Sequence, residues 1–413
     1  MDDFGSEQRQ RLLAVYRTTI DAVAGDRVVR DYLEKAPPAA ACVVVAIGKA
    51  AERMMKGAAD ALDDRFQKGL VITKHDHLGA ACDDPRVECL SAGHPVPDEA
   101  SLRAGRRLLE FLAEVPRRSE LLFFVSGGTS ALVEVLPEGV GLAELERATG
   151  WLLGSGKDIE AVNRVRKGLS CIKAGRLARY LAVRHTRNLM MSDVPGDDPM
   201  VIGSGLLVPH PPEALEIDFE IPGWLEELLG RVPKAPNPAD PCFAPLETRV
   251  LIGNRNACEA AAAEAARAGL ESRVDERVFT GDALEMGRRF GKQLTGAEPG
   301  LYIWGGESTV ELPDDPGRGG RNQALALAAA TELAGRNDVF LLAAGTDGTD
   351  GPTNDAGALV DGGTVQRGQE EGFDPDEALR RADSGSFLEA SGDLIHTGPT
   401  GTNVMDLVLG LKV

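Results

Sequence analysis

The stretch Cys42-Val-Val-Val-Ala-Ile47, running into Gly48-Lys49, decides the fold. Six apolar residues in a row with no polar alternation describe a strand covered on both faces, the condition of a parallel sheet between helical layers. The same pattern returns at 70–73, 121–125, 188–192, 250–252, 301–304 and 339–343, mostly with helical stretches between. Upstream, Leu12, Leu13, Tyr16, Ile20 and Val23 recur at helical spacing and predict one amphipathic helix over 6–35. Alternating strands and helices predict an α/β protein with right-handed crossovers. Prolines at 233, 236, 238, 241 and 245 break regular structure and mark a connector. The expected division is therefore a parallel-sheet domain over 1–235 and a smaller α/β domain over 236–413, with the active cleft between them.

Composition bounds what such a protein can do. At 413 residues, with 43% hydrophobic and 26% charged side chains, the chain is globular rather than disordered or fibrous. Acidic residues outnumber basic ones 64 to 45, for a net charge of −19, which opposes nucleic-acid and anionic-membrane partners. The longest apolar run, 39–47, is far short of the ~20 residues that span a bilayer. The acidic start MDDFGSEQRQ lacks the pattern of a secretory signal, so a cytoplasmic location is expected. Six cysteines without a Cys-x-x-Cys pair predict reduced thiols rather than a disulfide or zinc framework.

Ligands of parallel α/β sheets bind beyond the carboxyl ends of strands, so the residues after each apolar run carry the chemistry. Strand 42–47 leads to Lys49, a cation at the sheet edge or an ordinary snorkelling lysine. Strand 121–125 leads to Ser126-Gly127-Gly128-Thr129-Ser130, whose N–H and hydroxyl groups at the start of a helix suit a phosphate or carboxylate. A tight Gly-Gly turn with a helix cap fits this loop equally. Strand 188–192 leads to Asp193. In the second half, 301–304 leads to Gly305-Gly306-Glu307-Ser308, read as a loop in which Glu307 could hold a ribose or a cation. Strand 339–343 leads to a glycine-rich loop with Asp347, Asp350 and Asp355, an oxygen set for Mg²⁺ or else a solvated acidic turn. Arg321 opens an apolar helix and could grip a carboxylate or phosphate in bidentate fashion; Arg318 is less favoured.

Residues 154–187 carry nine basic and two acidic side chains, read mainly as a solvated helical face, with Lys157, Arg166 and Lys167 as weaker site candidates. His75 and His77 read as loop residues rather than a metal pair, and at His94 a turn or cap role competes with catalysis. Gly-x-Gly-x-x-Gly, the P-loop and the Gly-x-Ser-x-Gly elbow are all absent from the sequence.

The motifs AIGKAA, SAGHPVPDEAS, VSGGTSAL, AVNRVRKGLS, SDVPGDD, GGE, GRGGRNQ, AAGTDGTDGPTNDAGA and GPTGTNVMDL occur in this order over nearly the whole chain. The set resembles the glycerate 2-kinases whose C-terminal half is the MOFRL domain. That resemblance implies a Rossmann-like N-terminal domain and transfer of phosphate from ATP, with Mg²⁺, to the 2-hydroxyl of D-glycerate, giving 2-phosphoglycerate and ADP. It implies Lys49, Asp193 and Arg321 as catalytic residues. The expected site adds 126–130 for substrate or phosphate, Gly305, Gly306 and Glu307 for nucleotide, and Asp347, Asp350 and Asp355 for metal. The partners expected are D-glycerate and ATP, with a homodimer as the candidate assembly. Some relatives carry a hydroxypyruvate reductase label, so an NAD(P)H-dependent reductase is the competing activity, and a non-catalytic sugar-acid binder is a third.

Overall fold

The computed structural model describes residues 2–183 and 185–413. It divides into two compact units, one formed by 28–251 and the other by the flanking segments 1–27 and 252–413. The expected single break near 235 is thus replaced by two, at 27/28 and 251/252.

The first unit is built on six strands: β1 Cys42–Ile47, β2 Phe66–Lys74, β3 Val87–Ala92, β4 Glu120–Val125, β5 Thr186–Met191 and β6 Leu246–Ile252. Their order across the sheet is β3-β2-β1-β4-β5-β6. The pairs β1–β2, β2–β3, β1–β4 and β4–β5 are all parallel. From β1 the chain adds strands to one side, then returns to add β4 on the other, so the order reverses between β1 and β4. Every residue of β1 and β4 is buried, as their unbroken apolar sequences require. The proline-rich connector is irregular as expected, yet it returns the chain to this sheet: Pro245 O accepts the Thr186 N–H (2.8 Å), and β6 forms the edge.

The second unit holds β7 Ser272–Val274, β8 Phe279–Asp282, β9 Gly300–Thr309, β10 Val339–Gly345, β11 Gly357–Asp361, β12 Leu394–Ile395 and β13 Asp406–Lys412. They lie in the order β12-β11-β10-β13-β9-β7, with β8 also on β9. This sheet is mixed. β7 and β8 run parallel to β9, but β13 is antiparallel to both β9 and β10, and β11 is antiparallel to β10. Because β13 lies between them, β9 and β10 point the same way, and Gly345, Asp406 and Gly306 stand side by side across the sheet.

Both faces of the second sheet are covered. Leu12, Val15, Tyr16 and Ile20 of the helix Asp2–Ala22 pack with helix Asn254–Arg267 on Phe340, Leu342, Leu407 and Leu409. The opposite face, with Leu341, Ala343 and Val408, is covered by helices Ala283–Thr295 and Arg321–Leu333. The N-terminal segment is two helices, Asp2–Ala22 and Gly25–Lys35, rather than one, and the Gly25 N–H donates to Gly401 O (3.0 Å). Among the described residues no helix is long and apolar enough to cross a membrane. Cys82 and Cys89 form a disulfide, against the expectation of free thiols: the short turn Ala80–Asp83 folds back so that their Cα atoms stand 5.9 Å apart.

Candidate active site

In the first unit the expected residues gather on one edge. Lys49 follows β1, the 126–130 loop follows β4, and Asp193 lies two residues past the end of β5, so all three stand at the carboxyl ends of adjacent parallel strands. The β1/β4 junction is the topological switch point, where open α/β sheets part their loops and leave a crevice.

The first two loops are fastened together. The Lys49 N–H donates to Gly127 O (2.8 Å), the Ser126 N–H to Ile47 O (2.9 Å), and the Ala50 N–H to Ser126 Oγ (3.1 Å). Thr129 Oγ1 donates to Ile47 O (2.9 Å). Gly48 takes a positive φ of 126°, and a Cβ there would overlap Ser126. This is a position only glycine can fill. The hydroxyls of Ser126 and Thr129 are buried and tie the loop to β1. The expected helix after the loop is a single turn, Thr129–Leu132, too short to supply a helix-end field.

His94 belongs to this locus. A Cβ on Gly128 would sit 3.0 Å from His94 Cδ2 and 3.4 Å from Lys49 Cγ, so the imidazole and the lysine stem flank the same glycine. Helix Glu99–Ala113 is capped by Asp98, not by His94. The spacing of GHP ahead of a helix start signalled a cap; which side chain filled it depended on the turn.

In the second unit the expected residues lie about the shared carboxyl end of β9 and β10. Arg321 donates from Nε to Asp406 Oδ2 (2.6 Å) and from Nη2 to Asp406 Oδ1 (2.9 Å), and its Nη1 pairs with Glu307 (2.7 Å). The bidentate grip expected of Arg321 is thus made, but onto the chain's own Asp406. Burial works against the guanidinium charge, while Asp406 and Glu307 outweigh it and raise its pKa. The Asp406 side chain is 1% exposed and that of Glu307 36%, so the Glu307 contact is the one open to exchange. Asp406, in the GPTGTNVMDL motif, was not singled out in the sequence because one aspartate entering an apolar strand carries no spacing signal.

Gly305 and Gly306 lie inside β9 rather than in a loop. Side chains there would overlap Asn254 and Phe279, so packing accounts for both glycines. The three loop carboxylates do not converge either. Asp350 is buried and accepts the N–H groups of Asn322 (3.1 Å) and Gln323 (2.8 Å). Asp355 pairs with Arg318 (2.9 Å) and His396 (2.7 Å), and Asp347 accepts the Thr349 N–H (3.0 Å). Among the described residues no three His, Cys, Asp or Glu side chains form a cluster fit to hold a metal. The carboxylates expected to cage Mg²⁺ are instead committed to a helix start, an ion pair and a turn.

The basic segment also departs from expectation. Lys173 is buried and paired with Glu134 (2.5 Å). Arg176 is buried against the carbonyls of Pro233 (2.7 Å), Lys173 (3.0 Å) and Lys167 (3.1 Å). Lys167 donates to Met200 O (2.9 Å) and lies 3.2 Å from His210 Nε2. Burial lowers the pKa of each of these cations. Only part of the segment is solvated; the exposed Lys157 lies over the Phe219 ring.

Residues 11–218 match the domain of unknown function DUF4147, and 300–406 match the MOFRL family. The chain is 38% identical to D-glycerate 2-kinase of Thermotoga maritima, across 99% of this chain and all of that protein. It belongs to the glycerate 2-kinase family. A crystal structure of glycerate kinase from the same organism superposes with a TM-score of 0.85 at 36% identity, covering 99% of this chain and 100% of that one. A putative hydroxypyruvate reductase of Agrobacterium vitis is 37% identical over 90% of this chain and 87% of its own.

Proposed function

We propose that this protein transfers the γ-phosphoryl group of ATP to the 2-hydroxyl of D-glycerate, giving 2-phosphoglycerate and ADP. The observation that carries the reading is Lys49, fastened to the 126–130 loop at the switch point of a parallel sheet, in a chain of the glycerate 2-kinase family. Phosphoryl transfer asks a protein for positioning and for charge placed where the transition state needs it. The Lys49 ammonium supplies a cation to the transferred phosphoryl oxygens. The Gly127–Gly128 tip allows close approach of an anionic group, and Asp193 orients the acceptor hydroxyl and takes its proton. Arg321, aligned by Asp406, offers the edge now shared with Glu307 to an anionic group. Since the expected carboxylates form no cage, magnesium enters as part of the nucleotide substrate, and no step is assigned to a resident metal.

The reductase label on a close relative makes hydroxypyruvate reduction the second reading. Strand order 3-2-1-4-5-6 is also that of dinucleotide-binding folds, but the β1 turn here reads AIGKAA, without their glycine fingerprint. Incubating the protein with ATP, Mg²⁺ and D-glycerate and following products by phosphorus NMR tests the kinase reading. The expected outcome is one 2-phosphoglycerate resonance growing with ADP. NADH oxidation by hydroxypyruvate with no phosphoglycerate formed would reverse the assignment.

A further inference from the structure

Arg166 stands in the last turn of helix Ile159–Gly168, half-buried, and its guanidinium makes no hydrogen bond or ion pair with any described residue. Its surroundings are already rich in positive charge. Lys167 is next to it in the same turn, and Lys173 and Arg176 follow in the buried segment beyond the helix. Glu134 is the carboxylate that acts on Arg166, but its Oε2 is taken by Lys173. Lys167 and Arg176 rest on neutral acceptors, namely Met200 O, His210 Nε2 and three backbone carbonyls. His210 is buried and bonded through Nδ1 to Val208 O (2.9 Å), an arrangement in which Nε2 accepts from Lys167.

Three of these cations, Arg166, Lys173 and Arg176, thus feel one carboxylate, and it is already ion-paired. Lys167 instead feels the negative charge of Asp198. Half-burying a guanidinium with no direct partner is costly when the carboxylate that acts on it is already ion-paired, and the negative helix end beside it offsets only a fraction of that cost. Such a charge persists in a fold when an anion completes it. The cluster also adjoins the locus described above. Ser130 Oγ lies 2.8 Å from Ser204 Oγ, Ser204 O accepts the Ala174 N–H (3.1 Å), and Glu134 is four residues past Ser130.

We propose that Arg166 forms an oxyanion subsite beside the 126–130 loop that takes a phosphoryl or carboxylate group of a substrate. Its assignment to a substrate rests on the kinase reading, whereas anion binding itself does not.

Thermal unfolding of the full chain tests it, comparing wild type, Arg166→Gln and Arg166→Lys without ligand and with millimolar inorganic phosphate, ADP or D-glycerate. Without ligand, Arg166→Gln should melt at or above the wild-type temperature, because it removes a half-buried charge that has no direct partner. Phosphate should raise the wild-type midpoint, leave Arg166→Gln unmoved and raise Arg166→Lys in part. An Arg166-dependent rise with ADP assigns the group to the nucleotide, one with D-glycerate to the acceptor carboxylate, and one with phosphate alone to free anion. The KM of the substrate so identified should rise roughly ten- to hundred-fold in Arg166→Gln, with a smaller change in kcat. An unliganded Arg166→Gln protein that melts well below wild type or fails to fold, or equal ligand responses in wild type and Arg166→Gln, would overturn the proposal. Absence of phosphoglycerate from the wild-type reaction would refute the kinase reading while leaving the phosphate response to be judged separately.

Discussion

The loop closure at Lys49 is made by backbone N–H groups: its own N–H is fastened to Gly127 O, and the next N–H to Ser126 Oγ. Truncating its side chain therefore leaves the loop closure in place. Lys49→Ala should reduce kcat/KM by the equivalent of about 2–4 kcal/mol, the cost of losing one preorganised charge, with little change in melting temperature. Steady-state kinetics beside a thermal melt checks both halves; near-wild-type turnover would remove Lys49 from the chemistry. Asp350 makes a different kind of prediction. Burial pushes its carboxyl up to about 7 from 3.8, against the pull of the Gln323 and Asn322 N–H groups. Between those values the folded chain keeps a proton that the unfolded chain has released. The stability it contributes is therefore full below about pH 4 and lost as pH rises through 7, by at most about 1.4 kcal/mol per pH unit. Asp350→Asn, which retains an acceptor, should flatten the wild-type fall in stability between pH 4.5 and 7.5 in urea titrations. Parallel curves for the two proteins would show that Asp350 does not titrate there.

At the level of elements, what could be read from the sequence tracks how distinctive each burial pattern is. β1, β4 and β5 were legible because a run buried on both faces has few other readings, and their following loops were found for the same reason. The direction of strands in the second sheet was not. β10 is as fully buried as β1, yet its neighbours are antiparallel, and an apolar run carries no mark of its partner's direction. The GGES segment misled because glycine pairs signal turns, whereas here they let Asn254 and the β8 backbone approach β9. Close approach recurs between helices Ala283–Thr295 and Arg321–Leu333. A Cβ on Gly287 would lie 2.9 Å from Ala328 Cβ and overlap the Leu325 carbonyl. Gly287→Ala should therefore destabilise the protein by about 1–3 kcal/mol despite alanine's better helix propensity. Equilibrium denaturation measures this, and a stabilised variant would mean that the two helices separate freely.

For the whole molecule, the −19 charge opposes polyanionic partners, but composition did not locate the site. The proline-rich segment drew the expected boundary too early, because β6 returns to the first sheet beyond it, and no local signal tied the first helix to strands some 280 residues later. That pairing is testable. Leu12 is fully buried against the second sheet, so Leu12→Ala should cost about 2–4 kcal/mol. Hydrogen exchange read by mass spectrometry should then quicken in β10 and β13 while β1 and β4 keep their protection. Equal loss of protection in both sheets would argue that the two units unfold as one.

The place of the helix Asp2–Ala22 also sets a schedule for biosynthesis. It leaves the ribosome before the strands it covers, and β13, the central member of that sheet, follows β9 and β10 by more than sixty residues of chain. Residues 28–251 can close their own sheet while Leu12, Val15, Tyr16 and Ile20 still wait for a surface. The nascent chain thus carries an uncovered apolar stripe through most of translation, a natural handle for a chaperone and the point at which slow elongation would expose it to aggregation.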